Sequence, residues 1–463
     1  MSESSVSSKI DRVAMRTLCI TSLVGFMVAM EITIISVARE EMAAAFPSAS
    51  AATLSWTITA YNIGVASLLL PAGWLADRYG RKRIFLWGLA TFMIGSLLSG
   101  VAPTSGLLIA ARVLQSIGGA AQFPAGLALL LMAVPAERRQ SAIGIWAAVS
   151  GLAAALAPSI GALLVDVFGW RAVFLVNVPV AAFAFVAGRF WLSESKGEGV
   201  SNRVDLVSVP MASLGIGALL FAMVQGKQIG LVGSLVAISV GLVMLTVFVR
   251  RSLTHQEPLF DLRLFQLRSF TVANIGSVFF IVAFFGWLIV LPEFLQRVWG
   301  WSVLKSGFAI APGPVISAIL SATNGRLADR IGNRPIVIIG GAAGFISCLL
   351  HFIFTTSTPA YVVGILIPGV FMGIAAGCSF AMLIGAAMSE IPPARFGMGG
   401  AGRTTVFQLS TALGVGLAIT IVGDNQSVDT LLYSMQRIWI ISAVLFCAQS
   451  VLFVLFYRPK LRR

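Results

Sequence analysis

Long apolar runs broken by short polar stretches dominate the chain. Fourteen of them, at about 17–38, 54–76, 84–101, 107–132, 141–165, 171–192, 206–226, 229–250, 270–292, 305–323, 335–355, 359–388, 398–421 and 434–457, are long enough to be membrane-crossing helices. A helix of about 20 apolar residues spans the hydrocarbon of a bilayer. Barrel strands would instead be short and alternate in polarity. The pattern predicts an all-α polytopic membrane protein. The first run carries Glu31, which interrupts the apolar core that a cleavable signal requires, so this run is read as a retained helix.

The polar pieces repeat. "GWLADRYGRKR" (Gly73 to Arg83) ends the second run, and "GRLADRIGNR" (Gly325 to Arg334) ends the tenth. Gly73 and Gly325 lie 252 residues apart, as do Asp77 and Asp329, Arg78 and Arg330, and Gly80 and Gly332. The same offset carries the first five runs onto the ninth to thirteenth. Two parallel six-helix bundles are therefore expected, at 17–192 and 270–457. Between them, 193–269 is a linker holding an extra hairpin (206–250) that turns through "QGKQIG". A segment 1–16 precedes the bundles and a tail 458–463 follows them. Parallel six-helix repeats are a transporter architecture, with the substrate site between the halves.

Composition sharpens this reading. The chain of 463 residues is 58% hydrophobic and only 11% charged, with a net charge of +14. The positive charge gathers in alternate loops. The opposite loops hold only Arg39, Arg171, Lys227, Arg297 and Lys305. The basic loops are placed in the cytoplasm, with both termini, at the cell's inner membrane. The charge is a topology signal and not a nucleic-acid signal. Cys19, Cys348, Cys378 and Cys447 lie far apart inside apolar runs, and His255 and His351 form no cluster. No metal, cofactor or catalytic constellation is expected, and the working unit is expected to be a monomer.

Within the opening motif, Gly73 permits close helix approach, Gly80 a tight turn, and Arg81 to Arg83 hold the loop on its side. None of this accounts for Asp77. A carboxylate there suits a breakable contact with an arginine or a helix N-terminus. The second copy keeps Gly325, Asp329 and Arg330 but puts Asn333 and Pro335 where the first has basic residues. The first copy is therefore expected to be the stronger latch. Gly369, Gly373 and Gly377 form a small-residue ridge in the twelfth run.

"GWLADRYGRKR" resembles the loop between helices 2 and 3 of the major facilitator superfamily. "LIAARVLQSIGGAA", with Arg112, Gln115 and Gly118, resembles its helix 4 signature. "WTITAYN", "WRAVFLVNVP" and "LPEFLQRVWGWS" resemble its fourteen-helix drug:proton antiporter branch. The resemblance implies a proton-coupled exporter of hydrophobic or amphipathic compounds. Export or proton-coupled import of one metabolite or organic anion is the alternative, and a non-transporting sensor is a further one. The branch's glycine-rich helix 5 survives here as Gly144, Pro158 and Gly161, with several glycines replaced by alanine. Where the branch carries an aspartate in helix 1, this chain has Glu31.

A carboxylate in hydrocarbon must be paired or protonated, which is the chemistry proton coupling needs. Glu31 and Arg112 fall within roughly 3 Å of the same depth at 1.5 Å per residue, so they are expected to pair. Arg403 and Glu293 stand where apolar residues are expected and are candidates to touch substrate. The acids would favour cations, and Arg403 anions or zwitterions. Tyr61, Asn62, Gln122, Phe123, Trp146, Phe284 and Trp287 are further cavity candidates.

Overall fold

A computed structural model describes residues 12–197, 205, 207–255, 258–423 and 428–458. Residues 1–11 of the expected N-terminal segment, 198–204 of the linker and 459–463 of the tail lie outside the described residues. Among the described residues, thirteen helices are long and apolar enough to cross a membrane, and one bent pair makes a fourteenth. The first six are α1 (Arg12–Val37), α2 (Ala51–Tyr79), α3 (Arg81–Gly100), α4 (Ser105–Ala133), α5 (Arg139–Phe168) and α6 (Ala172–Trp191). The hairpin is α7 (Ser208–Gly226) and α8 (Gln228–Thr254). The last six are α9 (Arg268–Arg297), α10 (Lys305–Ile331), α11 (Asn333–Phe354), α12 (Val362–Met388), α13 (Phe396–Val422) and α14 (Val428–Phe456).

Local chemistry sets where these helices begin, turn and bend. Ser50 and Thr104 start α2 and α4 by accepting hydrogen bonds from the backbone N–H of Thr53 and Leu107. Gly80 and Gly332 adopt φ of +115° and +81°, a region open to glycine, so α2 reverses into α3 and α10 into α11 without a linker. The span made by α5 and the turn before it bends by 41° between Ala136–Ala153 and Leu156–Phe168. Pro158 lies just beyond the bend, and its ring crowds the carbonyl four residues earlier.

In the first half, α3 packs on α4, α1 on α5, and α2 on α4. In the second, α11 packs on α12 and α14, α10 on α12, and α9 on α14. The halves meet through α5 with α10 and α12, and through α13 with α2 and α4. The hairpin lies outside, mainly against α2. The end bearing Gly80 and Gly332 is called here the basic end. There Leu70, Trp74, Leu127, Leu131 and Ile143 of the first half share one apolar core with the second. At the opposite end Ile34, Ala38, Leu108, Ala157, Trp170 and Phe174 cluster with first-half residues alone.

Close helix approach in lipid rests on small residues, because hydrocarbon supplies no hydrophobic drive between apolar faces. The ridge on α12 is used unevenly. A Cβ on Gly373 would sit 2.5 Å from the Gly313 carbonyl oxygen, and one on Gly377 2.6 Å from Leu320 Cβ, whereas one on Gly369 would meet nothing within 4 Å. Gly373→Ala should therefore destabilise the protein by about 1–3 kcal/mol through overpacking against backbone. Gly369→Ala should be neutral. Thermal unfolding of the two purified variants checks this, and equal behaviour would show that the ridge does not set the α10–α12 distance.

Candidate functional site

Two carboxylates close the basic end, each from one half onto a helix N-terminus of the other. Asp77, in the last turn of α2, accepts hydrogen bonds from the backbone N–H of Gly397 (2.9 Å) and Met398 (2.7 Å) at the start of α13. Arg81 grips the same carboxylate through Nε (3.0 Å) and Nη2 (2.8 Å), and also donates to the Pro393 carbonyl (2.5 Å). The approach depends on Gly73, where a Cβ would sit 2.5 Å from both Ala401 Cβ and the Gly397 carbonyl oxygen. Asp329, at the end of α10, accepts from the backbone N–H of Gln140 (3.0 Å) and Ser141 (3.2 Å), and from the Ser141 hydroxyl, at the start of α5. Gly144 and Gly325 allow that contact: a Cβ on Gly144 would meet the Ser321 carbonyl oxygen at 2.5 Å. Free N–H groups and the positive end of the helix dipole make each N-terminus a natural seat for a carboxylate.

The copies differ in what backs the carboxylate. Arg81 of the first corresponds to Asn333 of the second, and Arg81 forms a hydrogen-bonded ion pair with its carboxylate. Arg78 stacks over Trp74 at 5.1 Å, while Arg330 is exposed. Glu194, after α6, accepts from the backbone N–H of Lys82 (3.0 Å) and Arg83 (3.1 Å) and so braces the turn at Gly80. That brace left no mark in the local pattern, because Glu194 lies 112 residues from Lys82.

A second polar cluster lies inside the first half. Glu31 is 1% exposed and forms an ion pair with Arg112, also 1% exposed. Asn177 donates to the other Glu31 oxygen at 2.6 Å. Arg112 also donates to Gln115 Oε1 (2.6 Å) and to the Thr57 carbonyl (2.7 Å), and its guanidinium lies over the Tyr61 ring at 4.3 Å. Ser96 closes the network by accepting from Gln115 (3.2 Å) and Asn177 (3.3 Å). Helices α1, α2, α3, α4 and α6 thus meet at one buried pair. Thr57, Ser96 and Asn177 were not singled out from the sequence, although polar residues inside apolar runs mark such places. Gly161 brings α5 against α1, where a Cβ would meet Ile34 Cγ1 at 2.8 Å.

The remaining candidates are spread through the molecule. Gln122, Phe123 and Trp146 sit together among α1, α4 and α5. Trp146 donates to the Thr21 carbonyl (3.1 Å) and Gln122 to the Gly88 carbonyl (3.1 Å). Asn62 is half-buried on α2, next to Tyr61. Trp287 is buried in the second half beside His351 and Phe284. Glu293 pairs with Arg297 at 2.7 Å, and both are about a third exposed. Phe284 belongs to a wall of half-buried rings with Phe285, Phe380 and Phe407, at centroid distances of 5.1–6.4 Å. Arg403 lies one turn before Phe407 on α13 and is 2% exposed.

The sequence profile described as Major Facilitator Superfamily matches residues 21–415 and, overlapping, 275–461. The "Multidrug resistance protein Stp" of Mycobacterium tuberculosis is 32% identical over 421 residues, covering 89% of this chain and 76% of that protein. The "Multidrug resistance protein B homolog" of the same species is 32% identical over 425 residues, covering 89% and 77%. Among solved structures, the proton:xylose symporter XylE superposes with a TM-score of 0.68 over 96% of this chain and 95% of that one, at 16% identity.

Two expectations follow. Removing one partner of a buried ion pair leaves an uncompensated charge, costing about 3–5 kcal/mol. Arg112→Met and Glu31→Gln should therefore each destabilise the protein, and the double variant should recover most of the loss in a thermal-unfolding series. At the basic end, Asp77→Asn should loosen the seam more than Asp329→Asn. A cysteine replacing Leu127, in a background without the native cysteines, should then react about tenfold faster with a polar maleimide, given the ~1.5–3 kcal/mol of a charged hydrogen bond.

Proposed function

The chain belongs to the major facilitator superfamily, and from that premise we propose that it exports hydrophobic or amphipathic drug-like compounds in exchange for protons. Transporters of this superfamily carry small molecules across a membrane, and this chain is a multi-pass membrane transporter, not an enzyme. The drug reading is supported by relatives named for multidrug resistance. The positive-inside rule puts the basic end and both termini in the cytoplasm of the cell membrane. The form described here, joined at the basic end, is then the outward-facing one.

The observation that carries the coupling reading is the Glu31–Arg112 pair, sealed within the first half. A protonated Glu31 no longer holds Arg112 by charge, and α1 loosens from α4 and α6. An ionised Glu31 reforms the pair. The two carboxylate caps are the other moving part. Breaking the Asp77 and Asp329 contacts frees α13 from α2 and α5 from α10, which opens the cytoplasmic side as the halves rock. Cap and ion-pair network share α2 and α3, through Asp77 and Thr57 and through Arg81 and Ser96, so one bundle carries both events.

Inverted vesicles holding the protein and a trapped pH-sensitive dye test this. Adding a transported compound should move protons out of the vesicle lumen, and Glu31→Gln should abolish that movement while leaving the protein folded. Proton movement unchanged in Glu31→Gln would remove Glu31 from the coupling. Silence across cationic, neutral and anionic compounds would overturn the exchange reading itself.

A further inference from the structure

Among the described residues, every strongly buried charge but one has its counter-charge in the chain. Glu31 is held by Arg112, Asp77 by Arg81, Asp205 by Arg251, and Asp261 by Arg395. Arg403 is the exception. It is 2% exposed, its Nε has no hydrogen-bond acceptor, and no acid or acceptor among the described residues touches its side chain. The Phe407 ring, 6.0 Å from the guanidinium carbon, is its neighbour. An arginine stays protonated in proteins, so burial does not neutralise it.

Its place on α13 sets what it faces. Gly399 abuts Ile391 and Met388 at the end of α12, and Gly400 abuts Pro124 and Leu127 of α4. Arg403 follows these by four and three residues, so it lies one turn deeper on the same face. That face is the seam between the halves, just behind the Asp77 cap at Gly397 and Met398. One turn further along, Phe407 opens the wall of half-buried rings formed with Phe285, Phe380 and Phe284. A lone positive charge thus ends an aromatic strip that leads from the seam toward the middle of the molecule.

The acids that would attract a cation are already committed. Glu31 is bound by Arg112 and Asn177, and Glu293 by Arg297 away from this seam. We infer that Arg403 is the anion-binding residue of the substrate path, and that the compounds carried are aromatic or otherwise apolar molecules bearing a carboxylate or comparable single negative charge. This rests on the export reading above and names the substrate class. The guanidinium takes the anion in paired N–H···O contacts, and the phenyl wall takes the apolar body. Lying directly behind the cytoplasmic cap, Arg403 meets the charged end first when that cap opens.

The test uses a matched set: 4-phenylbutyrate, its methyl ester and 4-phenylbutylamine, with purified full-length protein in nanodiscs. Calorimetry should find the acid bound about tenfold or more tightly than ester or amine, as a charged hydrogen bond implies. Arg403→Gln should erase that preference while leaving ester binding intact, and Arg403→Lys should keep part of it. Equal binding of all three by the unaltered protein, or an acid preference that survives Arg403→Gln, would overturn the inference. The unaltered protein decides the question even if Arg403→Gln fails to fold. Transport of the same compounds into inverted vesicles separates the two readings. Acid preference in binding without transport sinks the export reading and keeps the site. Proton-coupled transport without acid preference does the reverse.

Discussion

A charge inside hydrocarbon has no water to fall back on, so its partner must come from the protein itself. That constraint organises this molecule more than any apolar contact does. The Glu31–Arg112 pair draws five helices of the first half to one point, because Asn177, Gln115, Thr57 and Ser96 each satisfy part of it. The apolar clusters above and below fill space around a centre that the charges fix. A pair of this kind is a weak source of stability but an exacting one for geometry, since removing either partner leaves the other stranded.

The same constraint works at the basic end with backbone in place of a side-chain cation. Asp77 and Asp329 each satisfy two N–H groups at a helix start of the opposite half. Glycines at 73, 144 and 325 let the backbones come close enough for this, and a single methyl group at any of them would collide with the facing chain. The two copies share this design but not its partners. Arg81 binds both the carboxylate and the Pro393 carbonyl, while the second copy leans on the Ser141 hydroxyl. Symmetry therefore sets where the seam closes, and the difference between Arg81 and Asn333 sets which partners each side uses.

Arg403 stands against this background because it breaks the rule that the rest obeys. The side chains facing Gly399 and Gly400, one turn before it, are apolar, and the wall beyond it is phenyl. An unpaired buried guanidinium is destabilising, and in a membrane transporter it is tolerated where an anion completes it.

Much of this was legible in the sequence, and the reason is physical. Helix number, the two parallel halves and the extra hairpin follow from run length and the 252-residue repeat, which the bilayer makes nearly unavoidable. Glu31, Asp77 and Arg112 were visible because charge is rare in apolar runs, and the depth of Glu31 and Arg112 follows from a fixed rise per residue. Position around the helix axis is a different matter. Whether Trp146 faces ligand or the Thr21 carbonyl, and whether Glu293 faces the seam or Arg297, depends on how each helix is rotated against its neighbours. Asn177, Ser141, Glu194 and the rings at 285, 380 and 407 entered only with tertiary structure, since their partners lie far along the chain. The sequence by itself determined which residues sit in the membrane and at what depth, because hydrocarbon thickness and helix rise are constants. Packing alone decided which charges meet, and so which one is left for a ligand, because a helix face has no fixed direction until another helix covers it.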